Sequence, residues 1–357
     1  MRIGIDAREI AGRVTGVGRY LSGLLTQWIA DGVTSRHEFV LYAHAPVSPA
    51  PPGCEVRVLP GSSGTWWQQA VLPVAARKDG LDVFLAPQYS APLLLAVPTV
   101  VVIYDVSFAA HPEWFRVREG LRLRTLARSS ARRACAVVTI SDFSFREIHE
   151  RLGASDRRIH IIPPGVPVRA DGSTASSSRE PRLLYVGSIF NRRNVPTLIR
   201  AFASVARSRP DATLDLVGDN RTYPFEDVAA LIEREHLGAR LTWHAYASDE
   251  VLAGLYRRAR AFAFLSEYEG LGMTPLEALT AGAPSVLYDT PIARESCGQA
   301  ALYVRRGDDQ ALRTAIERLL YDDQIRATLL RAAPAALEKY SWARAAADML
   351  DVLERCR

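Results

Sequence analysis

The chain has 357 residues, 48% of them hydrophobic and 23% charged, with a formal net charge of +5. That length and balance exclude a disordered or fibrous protein and provide for two domains, each with its own core. The basic residues are nearly all arginine, which reflects either anionic partners or simply the composition of a GC-rich coding sequence.

In chain order, the first half alternates short apolar runs with helical stretches. Strands are expected at RIGID, FVLYA, VRVLP, VFLAP, TVVVIYD, AVVTIS and IHIIPPG, with helices after Gly18, over 116–135 and after Asp142. Apolar strands alternating with helices predict a mainly parallel sheet covered on both faces. The uncharged stretch from Val83 to Tyr104 contains three prolines. It reads as two buried strands around a loop and not as a membrane span. At the start, MRIGIDAR places Asp6 and Arg8 where a signal peptide would be apolar. Cys54, Cys135, Cys297 and Cys356 form no CxxC or Cys/His pattern, so a reduced, cytoplasmic protein with incidental thiols and no metal site is expected.

Residues 168–182, VRADGSTASSSREPR, are small, polar or charged and aperiodic, which marks a linker. It divides a domain at 1–167 from one at 183–340. In the second, strands are expected at RLLYVGS, ATLDLVGD, LTWHA, AFAFLS, SVLYD and ALYVR, and helices near 196–207, 225–236, from Asp249 and from Thr274. A final pair of helices is expected over 308–357, with about 341–357 packing back on the first domain. The architecture predicted is α/β: two doubly wound, Rossmann-like domains facing a central cleft, with ligands at the C-terminal ends of the strands.

Three stretches carry candidate chemistry. Gly16 and Gly18 precede a helix whose N-terminus suits a phosphate, or they are plain loop glycines. The third small residue of a dinucleotide fingerprint is absent, since that position is Leu21. Gly187 ends a strand, and Arg192 and Arg193 follow it before a helix, which suits two guanidiniums gripping a diphosphate. In EYEGLGMTPLEALTAGAP, residues 267–284, Thr274 and Glu277 have the spacing of a capping box with Pro275 at the first helical position. That structural reading leaves Glu269, Gly270 and Gly272 unexplained. A carboxylate, bare amides and a helix start together suit a hydroxyl-rich, phosphorylated ligand.

The segment SEYEGLGMTPLEALTAGAPSV resembles the E-x7-E signature of the retaining glycosyltransferases of family 4, which have the GT-B fold. TGVGRY, VVIYDVSFAAHPEWF, VVTISDFSFREI, RIHIIPPGV, LLYVGSIFNRRNVPTLIRAF, LAGLYRRARAFAFLSEYEG, ARESCGQAALYV and YSW follow the family's order over essentially the whole chain. The style is that of bacterial mannosyltransferase-like enzymes of polysaccharide biosynthesis. The resemblance implies transfer of a hexose, mannose foremost, from a nucleotide diphosphate sugar to a saccharide or lipid-linked saccharide acceptor, without a metal or other cofactor. GDP-mannose leads as donor, with UDP- and dTDP-sugars open. It implies that Glu269 sits at the donor sugar and that the backbone of Gly270, Leu271, Gly272 and Met273 follows sugar and diphosphate. Glu277 would hold the ribose, Arg192 and Arg193 the leaving diphosphate, and Gly16, Gly18 and Gly187 the phosphate side.

The chain departs from the family at Tyr104, where a histidine is usual before Asp105. Tyr104 offers a sugar contact or merely caps its strand, and Asp105 is a candidate acceptor contact. The resemblance implies retention on the front face, with the leaving phosphate assisting deprotonation; no hydrolase-like carboxylate pair stands out in the sequence. A sugar-nucleotide epimerase on the same fold is the alternative. A basic polyanion-binding protein is the remote one, and nucleic acid is not expected as a partner. Residues 116–133 carry seven arginines opposite Leu123, Leu126 and Ala127. They form either a solvated face or a peripheral contact with the anionic inner face of the membrane.

Overall fold

The computed structural model describes residues 1–12, 14, 16–166 and 179–357. Two compact units divide it: Met1–Gly165 with Tyr340–Arg357, and Val166–Lys339.

In the first unit the strands are β1 (Arg2–Asp6), β2 (Glu38–Ala43), β3 (Cys54–Val58), β4 (Val83–Ala86), β5 (Thr99–Val102), β6 (Ala136–Thr139) and β7 (Ile159–Ile161). Among the described residues they pair in the order β3-β2-β1-β4-β5-β6-β7, every pair parallel. Runs such as the Thr99–Val102 strand are buried throughout, because helices cover both faces. Those helices are α1 (Gly16–Ala30), α2 (Leu72–Ala76), α3 (Ser107–Ala110), α4 (Val117–Arg133) and α5 (Asp142–Leu152). Val83–Tyr104 holds two strands and a loop, and no helix among the described residues is long and apolar enough to cross a membrane.

The second sheet contains β8 (Arg182–Val186), β9 (Thr213–Val217), β10 (Leu241–His244), β11 (Ala261–Phe264), β12 (Ser285–Tyr288) and β13 (Ala301–Val304), in the order β10-β9-β8-β11-β12-β13. Its helices are α6 (Val195–Ser208), α7 (Val228–Arg234), α8 (Asp249–Arg258), α9 (Met273–Thr280), α10 (Pro291–Cys297), α11 (Asp309–Tyr321) and α12 (Asp323–Leu337). In both sheets the first strand lies beside the fourth. Chain order reverses there, and a crevice opens outside the carboxyl ends of those strands.

The last helix, α13 (Trp342–Arg355), belongs to the first unit. A Cβ on Gly23 or Gly165 would come 2.3 Å from the Trp342 indole, so those two glycines make its seat. The Trp28 indole donates to the Ala346 carbonyl (2.9 Å), and Ser341 caps the helix through the Arg344 amide.

Three expectations are corrected. The C-terminal region holds three helices, α11, α12 and α13, not a pair: Asp322 caps α12 immediately after α11 ends. The segment expected as a linker over 168–182 lies outside the described residues up to 178, and its end is not a linker. Arg182 opens β8 with its guanidinium on Asp215 (2.9 Å), and Arg179 donates to the Ala259 and Ala281 carbonyls (both 2.8 Å). Finally, the thiols of Cys135 and Cys356 are joined in a disulfide, 221 residues apart in sequence. Local spacing carried no sign of it, because only the return of α13 brings their Cα atoms to 5.8 Å. Cys54 and Cys297 are free.

Candidate active site

The second unit gathers its chemistry where β8 and β11 lie side by side. β8 ends at Val186, and Gly187 leads on to a single helical turn at Asn191–Arg193. β11 runs out through Leu265 and Ser266 to Glu269. Because the two strands are parallel neighbours, both loops leave the same sheet edge. Residues 76 apart in sequence therefore meet: Arg193 Nε donates to Glu269 Oε1 at 2.8 Å, both side chains only 15% exposed.

Several partners fix this pair. Arg193 also donates to the Ser188 carbonyl (3.0 Å), and Ser266 Oγ donates to Glu269 Oε1 (2.9 Å). The Arg193 guanidinium lies over the Phe264 ring (5.1 Å) and Arg192 over Phe190 (4.5 Å). Burial alone would raise the Glu269 pKa, but the positive charges of Arg193 and Arg192 and the two hydrogen bonds outweigh it and hold it below the usual value. Burial works against the charged form of Arg193 too, yet the Glu269 carboxylate wins and raises its pKa. The carboxylate is therefore ionised at neutral pH although it is largely buried.

The two arginines do not act alike. Arg193 is committed to Glu269, whereas Arg192 stacks on Phe190 beside the backbone link from the Glu267 amide to the Arg192 carbonyl (2.9 Å). Gly187 has φ 148, and a Cβ there would sit 2.7 Å from Arg193 Nη1. Its missing side chain is thus filled by the guanidinium.

The capping-box reading of Thr274 and Glu277 is corrected. α9 starts one residue earlier, at Met273, with Gly272 as its N-cap at φ 86 and no side chain on the cap. Thr274 is thus inside the helix, where its buried hydroxyl has no hydrogen-bond partner among the described residues. Glu277 lies beyond the capping-box position counted from Gly272, and its Oε2 accepts from the Tyr256 hydroxyl (2.8 Å). An uncapped helix start leaves backbone N–H groups facing an incoming anion. Tyr256→Phe should cost about 1 kcal/mol of stability for the lost hydrogen bond, measurable by urea unfolding. Glu277→Ala should cost about the same and should in addition weaken nucleotide diphosphate binding. Equal nucleotide affinity in the two variants would reduce Glu277 to a structural partner of Tyr256.

The first unit distributes its candidates differently. Gly16 opens α1 in open space, while a Cβ on Gly18 would lie 2.2 Å from the Glu9 carbonyl. Gly18 is therefore required for α1 to pack against that turn. The Tyr104 hydroxyl donates to the Pro87 carbonyl (3.1 Å) and its ring meets Tyr20 edge-on at 5.5 Å, which is the strand-capping arrangement. Asp105 Oδ1 accepts from the Ser107 amide (2.7 Å) and starts α3.

Sequence reasoning missed three residues. At the reversal between β1 and β4, the buried Arg8 pairs with buried Asp6 (2.8 Å) and donates to Gln88 Oε1 (3.1 Å). Ser266 and Asn194 were missed in the second unit. Asn194 takes a left-handed φ of 49, and its Nδ2 reaches Glu267 Oε1 (2.8 Å) and the Leu265 carbonyl (3.2 Å), stitching the arginine turn to the glutamate loop. Its signal was local: an Asn directly before a helix, the residue type that tolerates this conformation.

The chain is similar to known proteins over most of its length. Residues 14–170 match the family described as Glycosyltransferase Family 4, and residues 170–335 match Glycosyl transferases group 1. A serotype-specific mannosyltransferase, WbdA, of Escherichia coli is 26% identical over 282 residues, covering 70% of this chain but only 34% of that relative's length. An alpha-D-kanosaminyltransferase of Streptomyces kanamyceticus is 27% identical, over 78% of this chain and 75% of its own. In fold, the chain is similar to a sucrose-phosphate synthase of Thermosynechococcus elongatus, with a TM-score of 0.79, 18% identity and coverage of 99% and 98%. Two parallel-sheet units with these matches along nearly the whole length place the chain in glycosyltransferase family 4, on the GT-B fold.

Proposed function

We propose that this glycosyltransferase moves a hexosyl group, with retention of configuration, from a nucleotide diphosphate sugar to a saccharide or lipid-linked saccharide acceptor in the building of a cell-surface polysaccharide. The observation that carries this reading is the buried, ionised Glu269 held by Arg193 at the β8/β11 reversal, one loop away from an uncapped helix start. Glu269 faces the donor sugar and the positive charge that develops as its bond to the phosphate breaks. Arg192, with the amides at the start of α9 along Gly270, Leu271, Gly272 and Met273, takes up the negative charge of the departing diphosphate. Arg193 contributes charge from behind Glu269. Such preorganised groups are worth about 3 kcal/mol each where charge develops. Glu277 holds the ribose, and Gly187 lines the phosphate side.

Mannose is the favoured sugar, since WbdA is named a mannosyltransferase, and GDP-mannose is then the donor, with UDP- and dTDP-sugars as the other candidates. Asp105 is the acceptor-side candidate in the first unit, and the reaction runs on the cytoplasmic side, where nucleotide sugars are made. The arginines and the helix start perform the neutralisation that a metal performs elsewhere, so turnover should persist in EDTA.

The test is a thermal-shift and turnover screen against GDP, UDP, dTDP and their sugar conjugates, with EDTA and then with magnesium. A diphosphate at a hundred times its dissociation constant adds about 2.7 kcal/mol. A shift with one base in EDTA supports the reading. Sugar release or epimerisation of the donor without an acceptor counts against transfer, and turnover that disappears in EDTA and returns with magnesium counts against a metal-free site.

A further inference from the structure

We infer that the second unit binds a phosphate group at the amino ends of β8 and β11, in a cluster formed by Arg179, Arg260 and Arg326. The two strands begin at Arg182 and Ala261, and the Arg260 amide donates to the Arg182 carbonyl (2.9 Å). The Glu269–Arg193 pair lies beyond the opposite ends of the same strands, so this cluster is separate from the candidate active site.

The three arginines are tied into one group. Arg260 Nη1 donates to the Arg179 carbonyl (3.2 Å), and Arg326 Nη1 donates to the Arg260 carbonyl. Arg260 and Arg326 are buried, at 6% and 7% exposure. Arg260 has a carboxylate partner, since its Nη2 donates to Asp323 Oδ1, and the Asp323 side chain is 69% exposed. The cluster therefore opens to the surface beside Asp323. Arg326 has no such partner: among the described residues its one acceptor is the Arg260 carbonyl, and no carboxylate pairs with it.

Helix ends explain the first two arginines. Arg179 donates to the Ala259 and Ala281 carbonyls (both 2.8 Å), at the C-caps of α8 and α9, and Arg260 Nε donates to the Leu320 carbonyl (2.7 Å) in the last turn of α11. Cations are favoured at those negative helix ends. Arg326 has the opposite setting. It stands on the first turn of α12, at a positive helix end, where another cation is unfavourable. Burial first, and then the like charges of Arg260 and Arg179, push its pKa down to about 10. A buried charge among neighbours of its own sign costs stability unless an anion compensates it. A phosphate group fits best. Guanidinium forks take its oxygens in pairs, its tetrahedral oxygens meet arginines from several directions where a planar carboxylate meets one, and it carries close to two negative charges at neutral pH.

The experiment is thermal unfolding of the full chain with inorganic phosphate and with glycerol 3-phosphate, against sodium chloride and sodium acetate at equal ionic strength. It reads anion binding and not turnover, so it stands or falls separately from the transferase reading. At ten times its dissociation constant, phosphate should favour the folded chain about tenfold and raise the melting temperature by about 3 °C. Arg192→Ala should keep that rise, which separates this cluster from the arginine of the candidate active site. Arg326→Met should lose it and, without phosphate, should melt no lower than wild type, because an apolar side chain of similar length replaces an uncompensated buried charge. A rise with inorganic phosphate alone supports free phosphate as the ligand, and a rise with the ester as well supports a phosphorylated small molecule. Chloride or acetate matching phosphate would overturn the inference. So would loss of the rise in Arg192→Ala, its persistence in Arg326→Met, or a marked drop in the melting temperature of Arg326→Met, which would make Arg326 a structural tie.

Discussion

Glu269→Ala is expected to lose turnover by about a hundredfold or more and, in the same variant, about 3 kcal/mol of folding stability. The first loss follows from its place at the sugar, where a fixed carboxylate stabilises developing positive charge at no reorganisation cost. The second follows from Arg193. Removing one partner of a buried pair leaves the other charge buried without compensation, which costs about 3–5 kcal/mol. Both partners are only 15% exposed, so solvent does little to offset that cost. Arg193→Ala should cost about as much, and the double variant clearly less than the sum, which a double-mutant cycle in urea will read.

The same pair sets a pH dependence. Because the Glu269 pKa is depressed below its ordinary 4.5 in the folded state, its contribution is complete above that value and is lost as pH falls through the folded pKa. The stability gap between wild type and Glu269→Gln should therefore be constant around neutrality and narrow only as pH falls below 4.5. A Glu269→Ala variant as active as wild type would remove the site assignment altogether.

Gly18→Ala is expected to be the most damaging small change in the first unit. Its Cβ would stand 2.2 Å from the Glu9 carbonyl oxygen and 3.0 Å from Val14 Cγ1. Backbone cannot yield as a side-chain tip can, so α1 must move off β1's turn, at about 3 kcal/mol, the upper end of overpacking costs. Gly16→Ala is the control two residues away, with nothing within 4 Å of the new methyl. Stability should be unchanged there, and any loss of donor affinity would report a backbone that approaches the phosphate. If Gly18→Ala melts with wild type, the close approach of helix and turn is not what that glycine serves.

Periodicity alone was enough to locate the parallel strands of both sheets, because a strand buried on both faces must be written as an apolar run. It also located the two arginines and Glu269, since a charged residue just past a buried strand has to lie at the sheet's edge. What it could not determine was pairing. The capping box at Thr274 and Glu277 was plausible on spacing, but the helix start is decided by Gly272 adopting a left-handed φ, and Glu277 by the Tyr256 hydroxyl that α8 delivers. Arg193 was legible as a cation, not as the partner of Glu269, because that contact exists only where β8 and β11 become neighbours across a crossover. The Cys135–Cys356 bridge and the seating of Trp342 against Gly23 and Gly165 depend in the same way on the last helix returning to the first unit. Local sequence encodes burial and period, one residue at a time; which distant groups share a charge, a hydrogen bond or a cavity is a property of the topology, and only the tertiary structure decides it.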